Sequence, residues 1–285
     1  MRILCSVLFL VFFSSGPLHA WWLQNEYSFG SRDLRGGNVS VGVDVSTWLG
    51  TGFSASVYKD NRYPTEVLAA RLPVSLAGRG WLISLRPFYY PKREKLATSA
   101  GGGVLQGFFP LARDDEGSYT NLFVSAGWVD QKMTLTMPSG TSARDSIREA
   151  SAEIQLERTF YNEFYFMGSV SGFRRFENPG NASFLPVLDH TEMVYLGNVA
   201  PMTGFPSWSA GLQFARSLEP DSDSHVYVGA QRTAMRDGVP AFNSALAGIR
   251  MKIFGRNFFD FTYNWIKQRD LSPLNYYRLT LKWFL

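Results

Sequence analysis

Cysteine is nearly absent from this chain. The only thiol, Cys5, lies in the first twenty of 285 residues. That segment has the order of a secretory signal peptide: Arg2, an apolar run from Ile3 to Phe13, then Ser14, Ser15, Gly16 and Pro17, with the small Ala20 at a processing site. The expected organisation is therefore a signal peptide over residues 1–20 and one domain over 21–285. After processing no thiol remains, which excludes a disulfide framework, a thiolate metal site and a cysteine nucleophile; an exported chain could have used disulfides, so their absence is informative.

Histidine is also scarce, with only His190 and His225 beyond residue 20. Long apolar runs are lacking. A membrane-crossing helix needs roughly 20 apolar residues, whereas the N-terminal run is shorter and broken by Gly16-Pro17, and nothing after Ala20 qualifies. A helical membrane protein is excluded. Charge of one sign is lacking too: the formal net charge is +4, reduced by one if Arg2 is removed, too little to suggest nucleic acid as a partner.

What the chain does have is 15% aromatic residues, 26 glycines and only 18% charged residues, a composition suited to many strands with alternating polar and apolar positions. A period of two recurs over segments of about ten residues, the length of a tilted strand crossing a bilayer. It is plainest at residues 38–48, where Val39, Val41, Val43 and Val45 alternate with Asn38, Ser40, Gly42, Asp44 and Ser46. In a strand these two sets occupy opposite faces. The same pattern marks segments around 53–57, 68–74, 81–89, 122–128, 150–156, 164–170, 208–214, 226–230, 247–253, 259–265 and 277–285. With a weaker first strand at 22–29 and a glycine-rich one at 100–111, the expected fold is all-β: a single antiparallel transmembrane β-barrel of about 14 strands, 12 or 16 being the alternatives.

Connection lengths support a barrel. Short turns are expected at 49–52, 76–80, 159–162 and 254–257, and longer polar connections at 59–66, 91–99, 137–146, 174–206, 232–242 and 268–274. Residues 112–118 and 217–224 are medium-length connections on the short side. Outer-membrane barrels have short periplasmic turns and longer external loops, which would put both termini on the periplasmic side. Outward aromatics gather near strand ends in two bands, Trp81, Phe164, Phe214, Phe259 and Trp283 in one and Tyr89, Trp128, Trp208, Trp265 and Tyr277 in the other, as interfacial girdles do.

The last stretch, Tyr277-Arg278-Leu279-Thr280-Leu281-Lys282-Trp283-Phe284-Leu285, resembles the C-terminal strand of Gram-negative outer-membrane β-barrel proteins. It departs from that pattern by ending on Leu285, with the aromatic Phe284 one place earlier. The resemblance implies an outer-membrane location, contact with membrane lipid and assembly by the barrel-assembly machinery acting on this strand. Strand-like sequence begins at Trp21-Trp22, which leaves no room for an N-terminal plug. Size and the missing plug are similar to those of monomeric fourteen-stranded pores, and no fingerprint selects a specific porin-like family.

If the apolar parity faces lipid, the opposite parity carries the pore-lining candidates Asp44, Arg71, Arg86, Glu149, Glu153, Arg250, Lys252, Asp260, Arg278 and Lys282, together with Glu26 and Glu157. The inverse parity would place Arg or Lys in lipid at about 2–4 kcal/mol each. A basic sector near residues 250 and 280 is then expected to oppose an acidic one near 149–157, either as a field across a pore or as charges that pair and fill the barrel. The long connection 174–206, with Arg174 and Arg175 at its start, could narrow the mouth, be a plain surface loop, or hide a hairpin including Met193 to Val199.

Signals for chemistry are weak. His225 shares the interior parity with Tyr227, and His190 adjoins Asp189, but no nucleophile motif accompanies either. Ser99-Ala100-Gly101-Gly102-Gly103 is not followed by Gly-Lys-Ser/Thr and reads as a glycine-rich strand allowing a bend or close approach. The acidic turn Asp221-Ser222-Asp223-Ser224 lacks the glycine and terminal glutamate of a calcium loop. No cofactor or metal is expected. The leading expectation is a passive channel for small hydrophilic solutes; the alternatives are an outer-membrane lipid or lipopolysaccharide hydrolase using a histidine base, and an envelope scaffold or export-partner barrel with a closed lumen.

Overall fold

β-branched and aromatic residues at every second position favour extended chain, and each such segment pairs with the next. The computed structural model describes residues 21–59, 61, 66–92, 98–114, 118–136, 142–161, 163–176, 206–219, 224–236, 238, 240–269 and 271–285. Residues 1–20 with the expected signal peptide, His190, residues 193–199 where a hairpin was one alternative, and Asp221 to Asp223 lie outside the described residues.

The strands are β1 (Trp21–Gly30), β2 (Leu34–Asp44), β3 (Leu49–Lys59), β4 (Val67–Arg71), β5 (Val74–Gly78), β6 (Trp81–Tyr90), β7 (Thr98–Arg113), β8 (Tyr119–Thr136), β9 (Ser142–Phe160), β10 (Phe164–Arg175), β11 (Pro206–Ser217), β12 (His225–Met235), β13 (Phe242–Lys252), β14 (Phe258–Gln268) and β15 (Leu274–Phe284). β4 and β5 are two halves of one stave interrupted at Leu72-Pro73. Pro73 has no N–H to give the ladder, and the gap is bridged by Leu72 N donating to the Pro87 carbonyl at 3.1 Å and Gly52 N to the Pro73 carbonyl at 3.0 Å. The fifteen segments therefore make fourteen staves.

Neighbouring staves pair antiparallel in chain order, and β1 pairs with β15 from Trp22↔Phe284 to Gly30↔Tyr276. This pairing closes the barrel. The two ends of the described chain meet, with Leu285 N donating to the Trp21 carbonyl at 2.8 Å, on the end that carries the short turns.

Apolar side chains point outward. Val39, Ile154, Val170, Leu212 and Val228 are 49 to 60% exposed, while inward-facing Gln155, Thr159, Ser209, Asp260 and Thr262 are at most 3% exposed. Burying a Val, Leu or Ile side chain is worth roughly 1.5–3 kcal/mol, so in water this arrangement would be inside out. It is stable against acyl chains, and the fold is that of a transmembrane β-barrel. Both expected girdles are on the outer face: Trp81 and Phe214 toward the short-turn end, and Tyr89, Trp128 and Trp208 toward the other, are 39 to 55% exposed.

Three features differ from the sequence expectation. The first short turn is at 45–48 rather than 49–52, because the Ser46 hydroxyl accepts the N–H groups of Trp48 and Leu49 and closes the chain there. β7, β8 and β9 are longer than the expected ten or so residues; the β8–β9 ladder persists to Thr136↔Ser142, and the 19 residues of β9 span about 60 Å. Part of the interior is apolar. Near the long-loop end Val67, Ala69, Phe88, Tyr90, Ala100, Val104 and Val129 form a buried cluster, which parity could not reveal because Val67-Leu68-Ala69-Ala70 is apolar on both faces.

The remaining turn positions follow their local chemistry. Between β13 and β14, Gly255 has φ +60°, a conformation that costs an L side chain strain. Asn257 N donates to the Phe254 carbonyl at 3.0 Å and Ile253 N to the Asn257 carbonyl at 2.9 Å. In the glycine-rich strand, a Cβ on Gly102 would collide with the Trp128 carbonyl, so the close approach read from the sequence is present.

Candidate functional site

Directly paired residues on adjacent strands share a face, so register fixes which side chains look inward. One row of pairs runs from Lys282 through Gln24, Ser40, Ser54, Arg71, Phe88, Gly102 and Val129 to Glu149 and Arg175. It begins near the short-turn end and finishes near the long-loop end, as strand tilt in a barrel requires. By the same rule Asp44, Arg86, Glu153, Arg250, Lys252, Asp260 and Arg278 face the interior: Arg250 pairs with Asp260 and Asp260 with Thr280, while Asp44 and Arg86 stand two residues from inward Gly42 and Phe88.

Register brings some of these groups together. Asp260 is 3% exposed and sits 3.1 Å from Arg250 Nε. Its Oδ1 accepts the Tyr227 hydroxyl at 2.8 Å and the Thr262 hydroxyl at 3.0 Å, and Arg278 donates to Thr262 Oγ1 at 3.3 Å. Buried charge is tolerable only with such partners. Arg71 donates to Ser56 Oγ at 3.3 Å. Glu149 and Glu153, 4% and 6% exposed, are on β9, and Glu157 of the same strand accepts Asn121 Nδ2 at 3.0 Å.

The basic residues of β13 to β15 and the acidic residues of β9 are on different walls, separated by β10 to β12 on one side and by β1 to β8 on the other. Both walls reach one space. At the short-turn end a cavity of about 440 Å³ is lined by Glu157 from β9, Arg250 and Lys252 from β13, Arg256 from the following turn, and Phe258 and Phe284. His225 faces this cavity, its ring 5.8 Å from those of Tyr165 and Tyr227. A smaller cavity, about 140 Å³, lies between β6 and β9 against Phe108, Phe123, Glu153 and Gln155.

Sequence reasoning overlooked the inward rings. Lys282 Nζ lies 4.5 Å from the Trp22 ring centroid, 5.0 Å from Phe284 and 6.0 Å from Phe258, a cage of aromatic faces that attracts an ammonium. The signal was available: residues 22, 258 and 284 share the interior parity of Lys282. The girdle pattern concerns only the aromatics of the outward face. Arg256 was invisible because a turn residue has no parity.

No protein-family model matches the chain, and no curated protein matches it in sequence. Solved structures match most of its length at low identity. CdiB from Acinetobacter baumannii matches at 10% identity and a TM-score of 0.49, over 94% of this chain and 60% of that one. The NanC porin matches at 11% identity and 0.43, over 93% of this chain and 100% of that one. OccK11 (OpdR) from Pseudomonas aeruginosa matches at 10% identity and 0.42, over 94% and 95%. This chain thus spans 60% of the length of CdiB.

Proposed function

We propose that this protein is a passive outer-membrane channel for small hydrophilic solutes. The observation that carries this reading is the reversal of polarity across the closed sheet. Val, Leu and aromatic side chains cover the outside, while Ser, Thr, Asn, Gln, Asp, Glu, Arg and Lys supply most of the inward positions. A barrel whose interior had only to be filled could use apolar residues throughout, and would avoid the desolvation of so many polar groups. Polar groups on a lumen instead replace part of a solute's hydration as it passes. The periplasm is assigned to the short-turn end, which also holds both ends of the described chain.

Delivery to the outer membrane is proposed to use residues 1–20 as the signal and the β15 strand as the element engaged by the barrel-assembly machinery. In β15 Leu281 and Trp283 face outward while Phe284 turns inward, so the strand keeps its alternation to the end and Leu285 adds one outward apolar residue. N-terminal sequencing of protein from outer membranes should begin at Trp21.

The channel reading is tested in planar bilayers. Purified, folded protein should give discrete current steps that scale with salt concentration. A preparation shown to be folded yet electrically silent at every applied voltage would overturn it.

A further inference from the structure

We propose that the outer face of β12 to β14, at its long-loop end, seats one membrane lipid with a phosphate on its headgroup, held by Arg232 and Lys267. The site belongs to the wall of the barrel and not to its lumen, so it stands whether or not the barrel conducts.

Register puts the two cations together. Arg232 on β12 pairs with Asn243 on β13, and Asn243 pairs with Lys267 on β14. Cross-strand partners share a face, and this one is the face of Val228, which is 54% exposed, whereas Thr233 and Ser244 beside them are buried toward the interior. Two strand spacings, roughly 10 Å, separate the Arg232 and Lys267 backbones. Side chains of this length can close that gap onto one group above Asn243.

Charge sets the sign of the ligand. Arg232 is exposed and, among the described residues, makes no hydrogen bond and no ion pair. The Lys267 ammonium donates to a neutral acceptor, the Leu271 carbonyl, at 2.6 Å, and no described carboxylate lies at ion-pair distance from it. The connections above the row, residues 236–241 and 269–273, each contain one arginine and one aspartate. Their formal charges cancel, and the two positive charges of the row remain. An arginine offers a planar fork to two phosphate oxygens and a lysine adds a point charge.

Depth and shape make the occupant a lipid. The next outward pair toward the middle of the membrane is Ala245 with Trp265, and Trp265 belongs to the external aromatic band that marks the headgroup level. The cations stand just beyond that band, where an Arg or Lys facing lipid costs least. Below Asn243 the outer face of β13 carries only Ala245 and Ala247, and Ala230 pairs with Ala245. Trp265 and Tyr263 border these short side chains on one side, and Leu212 and Phe214, opposite Ala230 and Val228, on the other. This furrow runs from the cations into the hydrocarbon, the course of an acyl chain leaving its headgroup. A free phosphate would use the cations and leave the furrow empty.

The test is native mass spectrometry of the folded, full-length barrel, stripped of lipid in detergent and titrated with phosphatidic acid, with diacylglycerol of the same chains and with glycerol 3-phosphate. One phosphatidic acid should bind under conditions where neither of the other two does. Arg232→Gln with Lys267→Gln should weaken it at least about tenfold, since charge-assisted contacts are the strong ones. Arg216→Gln removes an exposed outward cation at the opposite end, opposite Phe164, and should change nothing. Equal binding of diacylglycerol, equal binding of glycerol 3-phosphate, an unaltered affinity in the double variant, or the same loss in Arg216→Gln would overturn the proposal. Heat-modified gel mobility checks that each variant is folded; should the double variant misfold, Arg232→Gln alone takes its place, with an expected loss of at least about threefold.

Discussion

Tyr227 on β12 lies across Gly248 on β13, its direct cross-strand partner, so closely that a Cβ on Gly248 would overlap the phenol ring. This lets the hydroxyl pass over one strand and reach Asp260 at 2.8 Å and Thr262 at 2.7 Å on β14. Gly248→Val should therefore displace the ring, and with it the hydroxyl that Asp260 accepts. The cost should be about 1–3 kcal/mol from overpacking, seen as a lower temperature for the heat-modified band shift. An unchanged shift temperature would mean that the ring does not need this passage.

Tyr227→Phe separates the hydroxyl from the ring. Packing on Gly248 should survive while a buried carboxylate loses one donor, with an expected loss of about 1–3 kcal/mol. Asp260 would then rely on Arg250 and Thr262. Urea unfolding from detergent or liposomes would measure the difference, and stability equal to the parent would refute the role given to this hydrogen bond.

Removing one sign of interior charge should tilt ion selectivity. Asp260→Asn removes the negative charge beside Arg250, leaving the β13–β15 wall more positive, so the zero-current potential in a salt gradient should move toward anions. Lys282→Gln should move it the opposite way. Identical potentials for both variants would argue that these groups lie off the conducting path.

Outward and inward positions on adjacent residues should differ in tolerance. Ile154 is 60% exposed while Gln155 is 2% exposed. Ile154→Arg puts a cation against acyl chains at about 2–4 kcal/mol near mid-bilayer and should reduce the yield of folded barrel in liposome refolding. Ile154→Leu should refold normally. Equal yields would indicate that this face does not meet lipid.

The short-turn end of β15 is open to a gentler test. Asn257→Ala removes the acceptor for Phe284 N and should loosen the β14–β15 end by about 1 kcal/mol, with faster amide exchange confined to the residues around Phe284. Uniform exchange with the parent would contradict it.

Alternation made much of the barrel legible, because a sheet with lipid on one side and polar groups on the other must repeat every two residues. Val39 through Asp44 is the clear instance, and the inward placement of Arg250, Asp260 and Lys282 followed from it. What alternation lacks is information about strand ends and about neighbours. Ser46 stopped β2 through its side chain, and no period announces such a bond. Val67 to Ala70 is apolar on both faces, which concealed the cluster around Phe88 and Val129. The Lys282 cage needed the register of three distant strands, residues 22, 258 and 284, that only closure brings together.

β1 and β2 join through the tight turn Ser31–Asp33 after only 10 residues of β1, while β9 runs for 19. Among the described residues the strand ends are therefore cut on a slant, low at the first hairpin and raised like a parapet at β8 and β9. On the described strands alone, anything settling onto this end would meet the raised β8–β9 side first.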